Sequence, residues 1–127
     1  MSFGMGVYYL TLCIFYEARG ESLEGKIAVG HVILNRSRER GLTVEEIVKE
    51  PYQFSWYKPG IEHKIPQAAD GEVSECFEAV TMLWSEIMDG KNLKGANHYF
   101  NPSKVNPSWA KSMLHITTIG NHKFFKG

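Results

Sequence analysis

The sequence predicts an α+β domain, a helical body followed by a small antiparallel β element near the C-terminus. Three observations carry this. Apolar stretches up to Gly90 keep helical spacing and stop at Gly20, before Pro51 and at Gly90. After Gly90 the helical period gives way to short aromatic runs, "ANHYF" and "HITTIGNHKFF", the second split by a Gly120-Asn121 turn. Finally, 127 residues with 43% hydrophobic and 22% charged side chains suit one domain, residues 1–127, with a real core.

Each element has its own local signal. The first helix is expected over about residues 6–18, ended by Gly20. A second begins near Ser22, a suitable N-cap, with Glu24 in the first turn where the helix dipole favours an acid. From Ile27 to Leu34 it is apolar almost all round, which predicts a central helix covered on several sides. A short third helix has Thr43 and Glu46 in capping-box spacing. Residues 51–71 are irregular, with three prolines and the run "YQFSWYKPG". A fourth helix over about 74–89 offers Phe77, Val80, Leu83, Trp84 and Ile87 as its apolar face.

Composition narrows the function. Net charge is zero, so no non-specific binding to nucleic acid or anionic membrane is expected. The apolar run over 7–16 is too short to span a membrane, and it has neither a cationic leader nor a small-residue cleavage site. Synthesis in the cytoplasm without a signal peptide is therefore the expectation. Cys13 and Cys76 fall inside apolar helical patterns and read as buried free thiols.

The chemistry concentrates at "FYEARGES". Glu17 is placed at the C-terminal end of a buried helix, where desolvation and the negative end of the helix dipole both raise a carboxyl pKa. A carboxyl kept protonated near neutral pH suits a general acid that protonates a glycosidic oxygen. Read by itself, the same spacing also fits Glu17 and Arg19 as ordinary polar residues closing a helix. Glu21, four residues on, either supplies a second carboxylate within the roughly 5 to 9.5 Å that glycosidases use or braces the turn, paired with Arg19 or with the start of the second helix.

Further along, Gln53, Ser55, Trp56 and Tyr57 bring amide, hydroxyl and flat aromatic groups together, as a sugar site requires; Phe54 reads as a core anchor. In a strand, Asn97, Tyr99 and Asn101 share one face, expected polar and reachable, while His98 and Phe100 share the other. Trp109 follows in the next loop. His98, His115 and His122 offer a weak case for a metal, because no His-x-x-x-His or Cys-x-x-Cys pair supports one. No cofactor and no metal are expected. His31 reads as a core histidine with a hydrogen-bond partner.

Four stretches in order, "FYEARGESLEGKIAVGHVILNR", "FSWY", "NHYFNPSKVNPSW" and "IGNHKFF", resemble the cell wall hydrolases of the spore-cortex-lytic type (SleB/CwlJ-like) from about Tyr8 to Phe125. The resemblance implies a lysozyme or lytic-transglycosylase-like fold and cleavage of peptidoglycan glycan strands. It also implies one essential glutamate at a helix end, which falls on Glu17. Arg19 and Glu21 would then shape the turn, and Gln53, Ser55, Trp56, Tyr57, Asn97, Tyr99, Asn101 and Trp109 would line the groove.

The expected reaction is cleavage of the β-1,4 bond between N-acetylmuramic acid and N-acetylglucosamine, as a lytic transglycosylase or a muramidase. A monomer acting on glycan strands, without membrane insertion, is expected. The chain lacks the family's peptidoglycan-binding repeats and an evident export signal. That pattern fits a phage endolysin that reaches the wall through another protein's pore, a germination enzyme acting on spore cortex, or a prophage remnant. The rival readings are a metal-dependent amidase or peptidase built on the three histidines, and a glycan-binding module without catalysis.

Overall fold

The structure, a computed structural model, describes residues 3–65 and 71–127. Helices α1 (Phe3–Ala18), α2 (Leu23–Arg40), α3 (Val44–Val48) and α4 (Glu72–Met88) precede strands β1 (His98–Phe100), β2 (Leu114–Ile119) and β3 (His122–Lys126), with single 3-10 turns at Leu93–Gly95 and Ser108–Lys111. The helical body and the small late sheet are as the sequence predicts. Of the irregular stretch 51–71, residues 66–70, Pro66 among them, lie outside the described residues.

The local signals explain the helix starts. The Ser22 hydroxyl accepts from Gly25 N at 3.1 Å, capping α2. Thr43 and Glu46 form the reciprocal capping box of α3, at 3.1 and 3.0 Å. Helix α2 is the centre of the molecule. One side packs with α1 and α4 around Ile14, Ile33 and Leu83; another carries Ala28, Val29 and Val32 against Phe124 of the sheet. Gly30 lets α4 approach closely, since a Cβ there would lie 2.6 Å from Leu83 Cδ2. Burying both faces of one helix explains why its sequence is apolar almost all round.

The buried face of α4 differs from expectation. Cys76, Ala79 and Leu83 are buried, whereas Phe77 and Trp84 are 46% and 47% exposed. Two stripes overlap on this helix, and the one with small side chains allows the close approach to α2.

Strand β3 is central in the order β1-β3-β2, antiparallel to both neighbours. A register shift between His115 and Thr117 interrupts the β2–β3 ladder. His31 has the partner predicted for it, its Nε2 lying 2.9 Å from Glu86 Oε1. Cys13 and Cys76 are buried free thiols, and burial pushes Cys76 up to about 11. Among the described residues no helix is long and apolar enough to cross a membrane.

Candidate active site

The turn between α1 and α2 sets the site. Helix α1 ends at Ala18, whose carbonyl accepts from Glu21 N at 3.0 Å, and Gly20 takes the left-handed φ of +84° that lets the chain reverse. Two contacts from outside pin this turn. Gly20 N donates to Glu72 Oε1 at 3.3 Å. Lys26, wholly buried, donates from Nζ to the Glu21 carbonyl at 2.6 Å and pairs with Glu72 at 3.0 Å and, more distantly, with Glu75 at 3.8 Å.

Glu17 therefore projects from the last turn of α1 on a rigid frame. It is partly buried, and Tyr99, reaching from β1, donates its hydroxyl to Glu17 Oε1. Burial raises the Glu17 pKa; the Tyr99 hydrogen bond and the charge of Arg36 act against burial without cancelling it. The Tyr99 phenol is itself pushed well up, by burial first and then by the neighbouring Glu17 charge. One turn earlier on α1, burial likewise raises the pKa of the Cys13 thiol and so disfavours the thiolate.

Glu21 lies in a different setting. Its Oε1 accepts from Asn121 N at 3.1 Å and its Oε2 from Asn121 Nδ2 at 2.9 Å, with His122 Nδ1 at 3.8 Å. Burial alone would raise its pKa, but these hydrogen bonds, with His122 and Lys26, hold it below the ordinary carboxylate range. Neither partner expected from the sequence supplies these bonds; they come from the β2–β3 turn. That turn needs Gly120, where a Cβ would lie 2.6 Å from Glu21 Oε1.

A lowered carboxylate pKa contributes stability that is present above its unfolded value and is lost as pH falls through its folded value. Glu21→Gln should therefore cost about 1 to 3 kcal/mol at neutral pH. The gap to the parent should close in acid, as read by denaturant unfolding across pH. An unchanged neutral stability would remove Glu21 as the tie between turn and sheet.

The aromatic loop packs on α1 at Tyr16. Trp56 stacks on Tyr16, the residue before Glu17, with centroids 5.0 Å apart and planes 18° from parallel; Tyr57 stacks on His63 at 4.9 Å. Phe54 is buried in the core, as predicted, while Gln53 and Ser55 are exposed. Trp56 Nε1 is buried, with no hydrogen-bond partner among the described residues. Gln53 joins Asn97 and Trp109 in lining a cleft of about 430 Å³, together with Arg36, Glu39, Arg40 and His98.

The strand faces differ from the sequence reading. Asn97 is 5% exposed, and its amide is used internally, donating to Glu39 at 2.9 Å and to the Gly127 carbonyl at 2.9 Å while accepting from Gly127 N. Tyr99 points inward against Phe124 and Glu17. The expected polar, reachable face is therefore the packed one. Asn101 closes its own turn by accepting from Ser103 N and Oγ. Trp109 packs on His98, Phe100 and Phe125. Arg19 is exposed and lies over the Phe15 ring at 4.9 Å.

The structure thus joins Glu17 to Tyr99, sets Trp56 on the neighbouring Tyr16, and gathers Gln53, Asn97 and Trp109 in one cleft, while it places Asn101 and Glu21 in structural bonds. Sequence reasoning missed Arg36, Tyr16 and Lys26. The first and last had a visible signal, since each is a cation flanking the apolar run from Ile27 to Leu34 of α2. The three histidines do not converge: His98 packs on Trp109, His115 on Phe125, and His122 on Tyr99. Among the described residues no three His, Cys, Asp or Glu side chains gather as a metal site.

Known proteins give this arrangement a setting. The chain is 32% identical over 128 residues to the spore cortex-lytic enzyme of Oceanobacillus iheyensis, covering 94% of this chain and 41% of that protein. It is 28% identical over 121 residues to the spore cortex-lytic enzyme of Bacillus subtilis (strain 168), covering 91% of this chain and 35% of that protein. The chain spans less than half the length of these relatives.

Its fold matches the catalytic domain of the germination-specific lytic transglycosylase SleB from Bacillus anthracis, with a TM-score of 0.72 and 27% identity over 99% of this chain and 97% of that one. It also matches the catalytic domain of the Bacillus cereus SleB protein, with a TM-score of 0.70 and 27% identity over 95% and 89%. The lytic-transglycosylase-like fold expected from the motifs is the fold observed. A family model described as Cell Wall Hydrolase matches residues 20–125, most of the chain. By this match and by its likeness to the cortex-lytic enzymes, the chain belongs to the cell wall hydrolase family.

Proposed function

We propose that residues 1–127 form one catalytic domain that cleaves the glycan strands of peptidoglycan at the β-1,4 bond between N-acetylmuramic acid and N-acetylglucosamine. Glu17 is the general acid and then the base. The observation that carries this is the Glu17 carboxyl itself, half-buried at a rigid helix end with its pKa raised by burial and its position set by Tyr99. The family and the likeness to a lytic transglycosylase catalytic domain support it.

Protonated Glu17 donates to the bridging oxygen as oxocarbenium character builds on the muramyl ring. Glu21 is engaged by Asn121 and does not serve as the opposing carboxylate. The substrate's own N-acetyl oxygen then stabilises the cation at C1, and ionised Glu17 takes a proton from the sugar's 6-hydroxyl as that oxygen bonds to C1 and displaces the acetamido oxygen. This is lytic transglycosylation; a water in place of the 6-hydroxyl would make the enzyme a muramidase. Trp56, with Tyr16, offers a flat wall for a sugar ring, while Arg19 and Glu21 shape and brace the turn. Tyr57, Ser55, Gln53, Asn97 and Trp109 border the groove; Asn101 supports its rim.

Mass spectrometry of soluble fragments from purified peptidoglycan tests the reaction. Fragments ending in 1,6-anhydromuramic acid are expected. Reducing muramic ends would make the enzyme a hydrolase, and freed stem peptides would overturn the glycosidase reading.

Tyr99 tunes the acid. Its donated hydrogen bond favours the carboxylate form and lowers the Glu17 pKa, so Tyr99→Phe should raise that pKa. The alkaline limb of the kcat/KM profile, where the acid loses its proton, should move to higher pH. A limb that stays in place or moves down would separate Tyr99 from the acid.

A further inference from the structure

Peptidoglycan strands alternate two sugars with nearly the same ring and the same acetamido group. Only the muramyl residue carries a lactyl ether ending in a carboxyl, free or extended as the stem peptide. An enzyme that cuts one of two alternating bonds must read that difference, and its clearest mark is charge, carried by the lactyl carboxylate where it is free and by the stem's own carboxylates where it is amide-linked.

We infer that Arg36 forms a carboxylate subsite in the cleft it lines with Gln53, His98 and Trp109, taking the lactyl-arm carboxylate of a muramyl residue and so fixing the register of the strand over Glu17. The inference rests on the glycan-cleaving reading proposed above.

The geometry orients Arg36 for this. Its Nε donates to the Asn97 carbonyl at 2.7 Å, and Asn97 is held in turn by Glu39 and Gly127. Among the described residues the two terminal guanidinium nitrogens have no hydrogen bond or ion pair, which leaves a planar fork suited to a carboxylate. The other charges of the cleft are engaged. Arg40 is bound two-pronged by Glu50. Glu39 is exposed, and both of its oxygens accept from Asn97 Nδ2. His98 is held toward its neutral form by burial and by Arg36 itself.

The cleft and the acid are joined through one chain segment, whose Asn97 carbonyl accepts from Arg36 Nε and whose Tyr99 donates to Glu17. Besides burial, the groups that act on Glu17 are Tyr99 from β1 and Arg36 from α2; on its own helix Glu17 in turn raises the Cys13 thiol. A bound carboxylate would offset the Arg36 charge, so the correct sugar would also strengthen the hold of Glu17 on its proton.

Calorimetry with the Glu17→Gln protein tests the subsite on three soluble strand preparations. One has its stems removed and free lactyl carboxylates, one is the same material with carboxyls converted to methylamides, and one bears intact stems. The free-carboxylate strands should bind about 10- to 100-fold tighter than the amidated ones. Adding Arg36→Gln should abolish that preference, and Arg36→Lys should restore part of it. If only stem-bearing strands are favoured, and Arg36→Gln removes the preference, the subsite stands with the stem as the carboxylate's source.

Equal affinity for free and amidated strands, with stems giving no gain, would overturn the inference. So would a preference that survives Arg36→Gln. If Arg36→Gln fails to fold, the free-versus-amidated comparison and Arg36→Lys decide. Failure of the parent chain to cut any strand would instead remove the glycan-cleaving reading, while these affinities would still judge the subsite.

Discussion

Glu17→Gln should fold and bind glycan strands yet lose about two to four orders of magnitude in cleavage rate, the usual contribution of a positioned acid–base group. Glutamine keeps the size of the side chain and can still accept from Tyr99, so the frame of the site is retained. What it lacks is the transferable proton. The same substitution makes a second, less obvious prediction. Because burial raises the Glu17 pKa, the folded protein holds this proton more firmly than the unfolded chain does.

Stability then falls as pH rises from the unfolded value through the folded one, since ionisation is disfavoured in the fold. Glu17→Gln should match the parent in acid and exceed it in thermal stability above that window. Slow cleavage with raised neutral stability is the signature of a site that stores strain for chemistry. Full activity in a turbidity assay on purified cell walls would sink the assignment. A variant less stable than its parent at neutral pH would show Glu17 to be a structural anchor.

The sequence made Glu17 legible because its signals are local: an apolar helix, a carboxylate on its last turn and a glycine to reverse the chain. The caps of α2 and α3 were legible for the same reason, each resting on residues three apart. What it hid depends on distant pairing. Tyr99 meets Glu17 across 82 positions, and Asn121 meets Glu21 across 100. Only the place of β1 beside β3, and of the sheet against α2, decides which face of "NHYFN" is turned inward. On α4 the bulk of Phe77 and Trp84 outweighed Cys76 and Ala79 in a pattern that serves either stripe. Close packing against Gly30 selected the smaller one.

Lys26 carries the second large effect, on stability. It is fully buried, and its ammonium meets the Glu21 carbonyl, Glu72 and, more distantly, Glu75. Lys26→Met keeps the stem of the side chain but takes the ammonium away from the Glu21 carbonyl and the Glu72 carboxylate. Removing one partner of a buried pair costs about 3 to 5 kcal/mol, a large share of the roughly 5 to 15 kcal/mol that holds a domain folded. A fall in Tm of roughly 10 to 20 °C is expected.

The double change Lys26→Met with Glu72→Gln should recover part of that loss, since the carboxylate that faced the ammonium is then neutral while the amide oxygen can still accept from Gly20 N. Activity should fall further than stability alone explains, even well below Tm, because the same contacts fix the turn behind Glu17. An unchanged Tm would mean the ammonium contributes no more than an apolar side chain of its shape. Normal cleavage by a destabilised Lys26→Met protein would detach the frame of the turn from the chemistry it holds.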